Sequence, residues 1–271
     1  MGLHSGRDVS VRLLPAPPDT GVVFHNGDQP DSAPIPARYT SVQDTLLATT
    51  LGNPGWRVAT VEHLLAALWS LGLSNVVIEV SGGEVPVLDG SAAPWLSALS
   101  TAGTVRQRGL RPLLVITDTI MVSDGARWAR LSPGPVLELS AHIAFDHPRI
   151  QEQSLSVCLT AEGFADELSW ARTFGFLSDV EALRAAGLAR GGGLENAVVY
   201  DDDGVVNPEG LRSADEAVRH KLLDMVGDLA LTGVDIQGCF AASRPGHALN
   251  LRLVQALFAA PGAWRMAGEK G

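Results

Sequence analysis

The amino-acid sequence points to an α+β protein made of two similarly built domains. Its 271 residues, 46% of them hydrophobic, favour two domains over one. Short strand-like runs precede helical ones in the first part of the chain, and the same order returns after a polar linker. That linker, GTVRQRGLRP at 103–112, sets the expected boundary between domains 1–108 and 109–271.

Up to about residue 50, PAPPDTG, HNGDQPDSAPIP and LGNPG punctuate brief apolar pieces, which read as strands joined by loops. A helix follows, with Thr60 as the expected N-cap, Leu64, Leu65, Leu68 and Leu71 at helical spacing, and Gly72 closing the run. NVVIEV reads as a strand; turn residues in SGGEVP and LDGSAAP then lead to a helix over Ala93–Ala102. Beyond the linker, LLVITDTIMV, VLELSAHIAF and SLSVCLT read as strands and VEALRAAGL as a helix. GGG at 191–193 reads as a flexible loop and DDDG at 201–204 as a solvated turn. In VRHKLLDMVGDLAL, Val218 to Leu231, Val218, Leu222, Met225, Val226 and Leu229 share one helical face, while His220, Asp224 and Asp228 run down the other.

Composition narrows the chemistry. A formal charge of −10 argues against general nucleic-acid binding, although an anionic small molecule remains compatible through local cations. Cys158 and Cys239 are the only cysteines, too few for a disulfide framework or a cysteine-based zinc site, so any metal must be held by histidine and carboxylate. No apolar run is long enough to span a bilayer, and MGLHSGRDVS lacks the apolar centre of a signal peptide, so a cytoplasmic protein is expected.

A catalytic zinc site needs three protein ligands and one open position. His220 and Asp224, four apart on one helix, stack on the same face and supply two ligands at little structural cost. Taken alone, an isolated His-x-x-x-Asp is more often a solvated face. Glu62 and His63 sit in the first turn of the Thr60 helix, where Glu62 also reads as a charge favoured at a helix N-terminus and His63 as a half-exposed residue of the cap region. His247 follows Pro245 and Gly246 at the entry to a last helix, a position that suits a catalytic residue or an inert one.

GLHSG, TVEHLLAAL, VLDGSAAPW, ARTFGF, VRHKLLDMVGDL and PGHALN, in this order, resemble the motifs of the UDP-3-O-acyl-N-acetylglucosamine deacetylases, zinc enzymes of lipid A biosynthesis. The resemblance implies two similar α+β domains, with helices packed between their sheets and the active site at the domain junction. It makes His63, His220 and Asp224 the ligands of a Zn2+ ion and Glu62 the general base. His247 becomes the cationic partner, Asp228 the carboxylate holding its imidazole, and the Thr173 hydroxyl a donor to the oxyanion. The reaction implied is hydrolysis of an N-acetyl amide on an acylated UDP-amino sugar, by a protein expected to act as a monomer.

For the rest of that substrate, Lys221 and Arg244 are candidate phosphate or nucleotide contacts, or simply surface cations. Phe145 is either a uracil-stacking ring or a core phenylalanine. Within the expected insert, about 177–199, Val180, Leu183 and Leu188 either line an acyl passage or pack a helix onto the domain. His4 and Ser5 match a motif without a derivable role, and His25, His142 and His147 read as surface or structural residues. Two departures from the family stand out: almost nothing precedes GLHSG where a first strand is usual, and GGG stands where a serine commonly comes third. An alternative is a binding protein that kept the scaffold and lost turnover; a common zinc peptidase is disfavoured because HExxH is absent.

Overall fold

In the computed structural model, which describes residues 1–267, six α-helices accompany several sheets in a mixed α+β arrangement. The first half runs β1 (Ser10–Pro15), β2 (Val22–Asn26), β3 (Ile35–Pro36), β4 (Val42–Asp44), β5 (Thr50–Gly52), β6 (Arg57–Val58), α1 (Glu62–Ser70), β7 (Val76–Ser81) and α2 (Ala93–Ala102). A four-stranded sheet has the order β1-β7-β2-β3, and β4, β5 and β6 form a small second sheet. Strand β7 shows why: Val76, Ile78 and Val80 turn inward in period two, while Glu79 faces out and pairs with Arg12 on antiparallel β1. β1 is an edge strand, with no partner on its outer side among the described residues.

The second half runs β8 (Leu113–Ile116), β9 (Ile120–Asp124), β10 (Arg127–Ser132), β11 (Leu137–Ala144), β12 (Glu152–Cys158), α3 (Ala161–Glu167), β13 (Phe174–Phe176), α4 (Val180–Ala185), β14 (Val198–Tyr200), α5 (Glu216–Ala230), β15 (Asp235–Ser243), α6 (His247–Ala259) and β16 (Trp264–Met266). The run 113–122 is two strands rather than the single one expected. Thr117 and Asp118 both donate their N–H to the Ala263 carbonyl, and across this break the chain changes partner from β15 and β16 to β10. The centre of the seven-stranded sheet is β15, which the sequence reading passed over. Its inward residues, Ile236, Gly238, Phe240 and Ala242, do alternate, but Gly, Ala, Cys and Gln give little strand propensity.

Helices α5 and α6 lie on this large sheet and α1 packs along α5, so the apolar side chains of both halves join in one contiguous core. Both faces of α5 are buried. Glu216, His220, Asp224 and Asp228 are as enclosed as Val218 and Leu222. Burial of that polar face depends on Gly227, because a Cβ there would lie 2.2 Å from the Glu62 carbonyl oxygen of α1. With hydrogen only, the two helices approach until Glu62 and His63 face the polar side chains of α5. Thr60 does not cap α1; it stands at φ 59° and donates its hydroxyl to Glu84, and Val61 occupies the cap position without a side-chain bond.

Candidate functional site

Buried polar side chains must find partners, and those on the α1–α5 seam sort into two sets. His63, His220 and Asp224 point nitrogen and oxygen atoms at one another, all within 4.8 Å. His63 Nε2 lies 3.6 Å and His220 Nε2 3.4 Å from Asp224 Oδ1. Ligand atoms about 2.0–2.2 Å from a tetrahedral ion sit about 3.3–3.6 Å from each other, so both separations match tetrahedral edges. His63 is buried rather than half-exposed, because Gly227 draws its helix turn into the seam.

The hydrogen-bonding groups around the trio leave those atoms free. His220 donates Nδ1–H to the Ala171 carbonyl at 3.0 Å, which leaves the Nε2 lone pair facing Asp224. Burial, with His63 and Lys221 adding to it against the pull of Asp224, depresses the pKa of His220 to about 3, so its ring is neutral. Burial works against the charge of Asp224, yet its neighbours outweigh it and hold its carboxyl well below the usual range, the standing positive charge among them being the Lys221 ammonium. The His220 lone pair, the Asp224 carboxylate and the facing His63 Nε2 form a set of atoms suited to a cation. Lys221 occupies the other Asp224 oxygen, Oδ2, at 2.7 Å, with its ammonium 5.5 Å from the centre of the Phe174 ring.

One turn further along α5 the second set is saturated with donors. Asp228 Oδ2 accepts from His247 Nδ1 at 2.9 Å and from Asn250 Nδ2 at 2.8 Å, and its Oδ1 accepts from the Thr49 hydroxyl at 2.6 Å. His247 opens α6 and turns its Nε2 toward Glu62 Oε1, 3.7 Å away. Burial opposes the charge on His247, but Asp228 and Glu62 overcome it and raise its pKa to about 10. Burial raises the Glu62 carboxyl, with His247 and His63 pulling the other way. The pair therefore stands as a protonated imidazole facing a carboxylate with enhanced proton affinity, an arrangement fitted to general acid–base work.

Other expected site residues lie at varying remove. Thr173 sits between Ala171, whose carbonyl fixes His220, and Phe174, whose ring is edge-on to His220 at 6.3 Å. Its N–H bonds the Gly90 carbonyl, so the VLDGSAAPW turn is tied to ARTFGF. Phe145 meets Phe174 edge-on at 5.5 Å and, with exposed Arg244, His147 and Gln151, lines a cavity of about 540 Å³. His63, His220 and Asp224 do not line that cavity; Phe174, in contact with both Phe145 and His220, connects it to the trio. Val180, Leu183 and Leu188 are half-buried, with Leu177 and Leu194 more exposed nearby in sequence. His147 is structural: it is buried, with Nε2 bonded to the Asp201 carbonyl. His25 and His142 are only partly buried.

The contacts of several contributors were not legible in the sequence. GLHSG is a turn whose His4 and Ser5 N–H groups both donate to buried Glu84, and burial lowers the His4 pKa against the pull of Glu84. Gly191 is buried against this turn, where a Cβ would meet the Gly2 carbonyl at 2.2 Å, so the GGG segment is a fitted contact rather than a loose loop. Arg172 is buried in an ion pair with Glu216, tying ARTFGF to the first turn of α5. Asn250 had a helical signal, three residues after His247. Gly227 had one too, as a glycine costly inside a helix. Thr49 had none, because its partners are distant in sequence.

The chain is similar to known proteins over nearly its whole length. The chain matches the family described as UDP-3-O-acyl N-acetylglycosamine deacetylase over residues 1–259. It is 48% identical over 266 residues to the UDP-3-O-acyl-N-acetylglucosamine deacetylase of Myxococcus xanthus, covering 98% of this chain and 85% of that protein. Against the Chromobacterium violaceum protein of the same name it is 44% identical over 270 residues, covering 98% and 89%. Likeness of this extent, running through every segment that builds the seam, means that the chain belongs to the UDP-3-O-acyl N-acetylglycosamine deacetylase family.

Proposed function

We propose that the protein removes the N-acetyl group from UDP-3-O-(3-hydroxyacyl)-N-acetylglucosamine, releasing acetate, as a zinc-dependent amidase of lipid A biosynthesis. The observation that carries this reading is the pairing on one buried seam of a His63–His220–Asp224 trio, both of whose imidazole-to-carboxylate separations suit a metal ion, with a carboxylate and a protonated imidazole. His63, His220 and Asp224 hold the ion. The chemistry a zinc ion supplies at such a site is Lewis acidity, toward the amide carbonyl and toward the attacking water.

Glu62, next in sequence to a ligand, takes the proton of the attacking water. Its raised proton affinity suits that task. Protonated His247 stabilises the oxyanion as the carbonyl carbon becomes tetrahedral, assisted by the Thr173 hydroxyl. It then passes its Nε2 proton to the leaving nitrogen, and Asp228 holds the ring aligned throughout. Acetate and the free amine are the products.

The same reading assigns the rest of the substrate. Phe145 stacks on the uracil in the side cavity, with Arg244 at its rim, and Lys221 reaches the diphosphate. The insert 177–199, with Val180, Leu183 and Leu188 on its half-buried face, takes the acyl chain. Residues 1–108 and 109–271 form the two domains, with helices between their sheets and the site at their junction. The protein acts as a monomer, and a nucleotide-activated sugar as substrate supports a cytoplasmic location. A binding protein without turnover needs neither a base nor an acid, so Glu62 and His247 count against that alternative. Acetate release from the UDP-sugar by zinc-loaded protein, measured beside Glu62→Gln, tests the proposal: it expects turnover by the wild type alone, and a fully loaded protein that releases no acetate overturns it.

A further inference from the structure

Thr49 uses all three of its polar groups on the catalytic seam. It is 2% exposed and lies just before β5, following a loop whose Leu46 and Leu47 stand in solvent. Its N–H donates to Glu62 Oε2 at 3.1 Å, its carbonyl accepts the Val61 N–H at 3.3 Å, and its hydroxyl donates to Asp228 Oδ1 at 2.6 Å. One residue thereby grips the carboxylate assigned as base, the start of the helix that presents it, and the carboxylate that orients His247. With the 2.9 Å bond from His247 to Asp228 and the 3.7 Å approach of His247 to Glu62, these links close a ring.

The hydroxyl has a specific task within that ring. Asp228 Oδ2 is already shared by His247 and Asn250, so among the described residues only Thr49 holds Oδ1. A carboxylate held at both oxygens cannot turn about its Cβ–Cγ bond, and the His247 ring that follows it keeps its line to Glu62. Remove the hydroxyl and a buried lone pair loses its donor, so the carboxylate rotates or draws in water.

We infer that Thr49 is a positioning residue for the deacetylation, setting the alignment of His247 against Glu62 through Asp228. This rests on the proposed function, and the backbone bond to Glu62 survives any substitution except proline. Thr49→Val removes the hydroxyl at nearly constant shape; Thr49→Ser keeps it. The valine variant should lose about tenfold to a hundredfold in kcat, the scale of one hydrogen bond to a charged group, with KM and bound zinc unchanged. The serine variant should stay within about threefold of wild type. In an Asp228→Ala background, adding Thr49→Val should cost nothing further, because the path through the carboxylate is gone.

A second measurement does not depend on turnover. The low-field proton resonance of His247 Nδ1–H should persist in Thr49→Ser and be lost or displaced in Thr49→Val. If the valine variant fails to fold, Thr49→Ala carries the same comparison. A valine variant with wild-type kcat overturns the inference, as do equal losses in valine and serine or an undiminished valine penalty in the Asp228→Ala background. Absence of acetate release by the wild type sinks the proposed function instead, and the resonance comparison still decides the role of Thr49.

Discussion

The two ends of the polar face of α5 are built on opposite principles. At His220 and Asp224, with His63 opposite, three potential ligand atoms converge; one turn on, Asp228 takes three donors and is satisfied. Both ends are buried in the same seam, so burial alone does not set the difference. It comes from what the neighbouring segments offer. The Ala171 carbonyl consumes the only N–H of neutral His220 and leaves its lone pair bare, whereas Thr49, His247 and Asn250 bring O–H and N–H groups to Asp228. A site short of donors awaits a cation, and a saturated carboxylate acts as a fixed mount.

The contrast is most severely tested by Asp224→Ala, which takes away the oxygen common to both short separations. Bound metal and activity should vanish together, activity by about 10⁴-fold or more; retention of stoichiometric zinc would erase the distinction between the ends. Next come Glu62→Gln and His247→Ala, expected to lower kcat by about 10²–10⁴-fold while metal analysis still finds one ion per chain. Gly227→Ala strikes both ends at once, since the new methyl meets the Glu62 carbonyl at 2.2 Å. Forcing α1 from α5 should lower stability by about 1–3 kcal/mol, read by denaturant unfolding, and depress activity with it.

Acidity offers a gentler probe. The proposed mechanism needs Glu62 ionised and His247 protonated, so kcat/KM should rise as pH passes the raised Glu62 value, above the ordinary 4.5, and fall only near 10, where His247 loses its proton. The alkaline limb should move to lower pH in Asp228→Asn, which removes the main support of that charge. Linkage has the same sign. Because the folded pKa of His247 lies above its ordinary 6.5, its contribution to stability is full below 6.5 and is lost as pH rises toward 10. The smallest expected effect is that of Lys221→Met: freeing Asp224 Oδ2 of its cation should tighten metal binding by only a few-fold, about 1 kcal/mol or less for a part-exposed charge, measured by competition with a chelator.

Part of this was legible without coordinates. Turn residues before it and the linker after it put α2 at about Ala93–Ala102, as observed, and helical spacing placed His220, Asp224 and Asp228 on one face of α5, because turn chemistry and periodicity are local properties of the chain. Ordered motifs carried the family and, with it, the roles proposed for Glu62, His63 and His247. Local spacing did not convey that the polar face of α5 is buried, that α1 supplies its cover, or that β15 is the middle strand of the large sheet.

By itself, then, the sequence determined which residue types stand one helical turn apart, and it excluded cysteine as a metal ligand. The tertiary structure decided which atoms meet. Gly227 allows two helices to touch, Thr49 reaches across 179 positions to Asp228, and the Ala171 carbonyl selects the tautomer of His220. Each of these depends on backbone approach or on a hydrogen bond between residues far apart in the chain. Such contacts leave no periodic trace, because their geometry exists only once the core has closed around them.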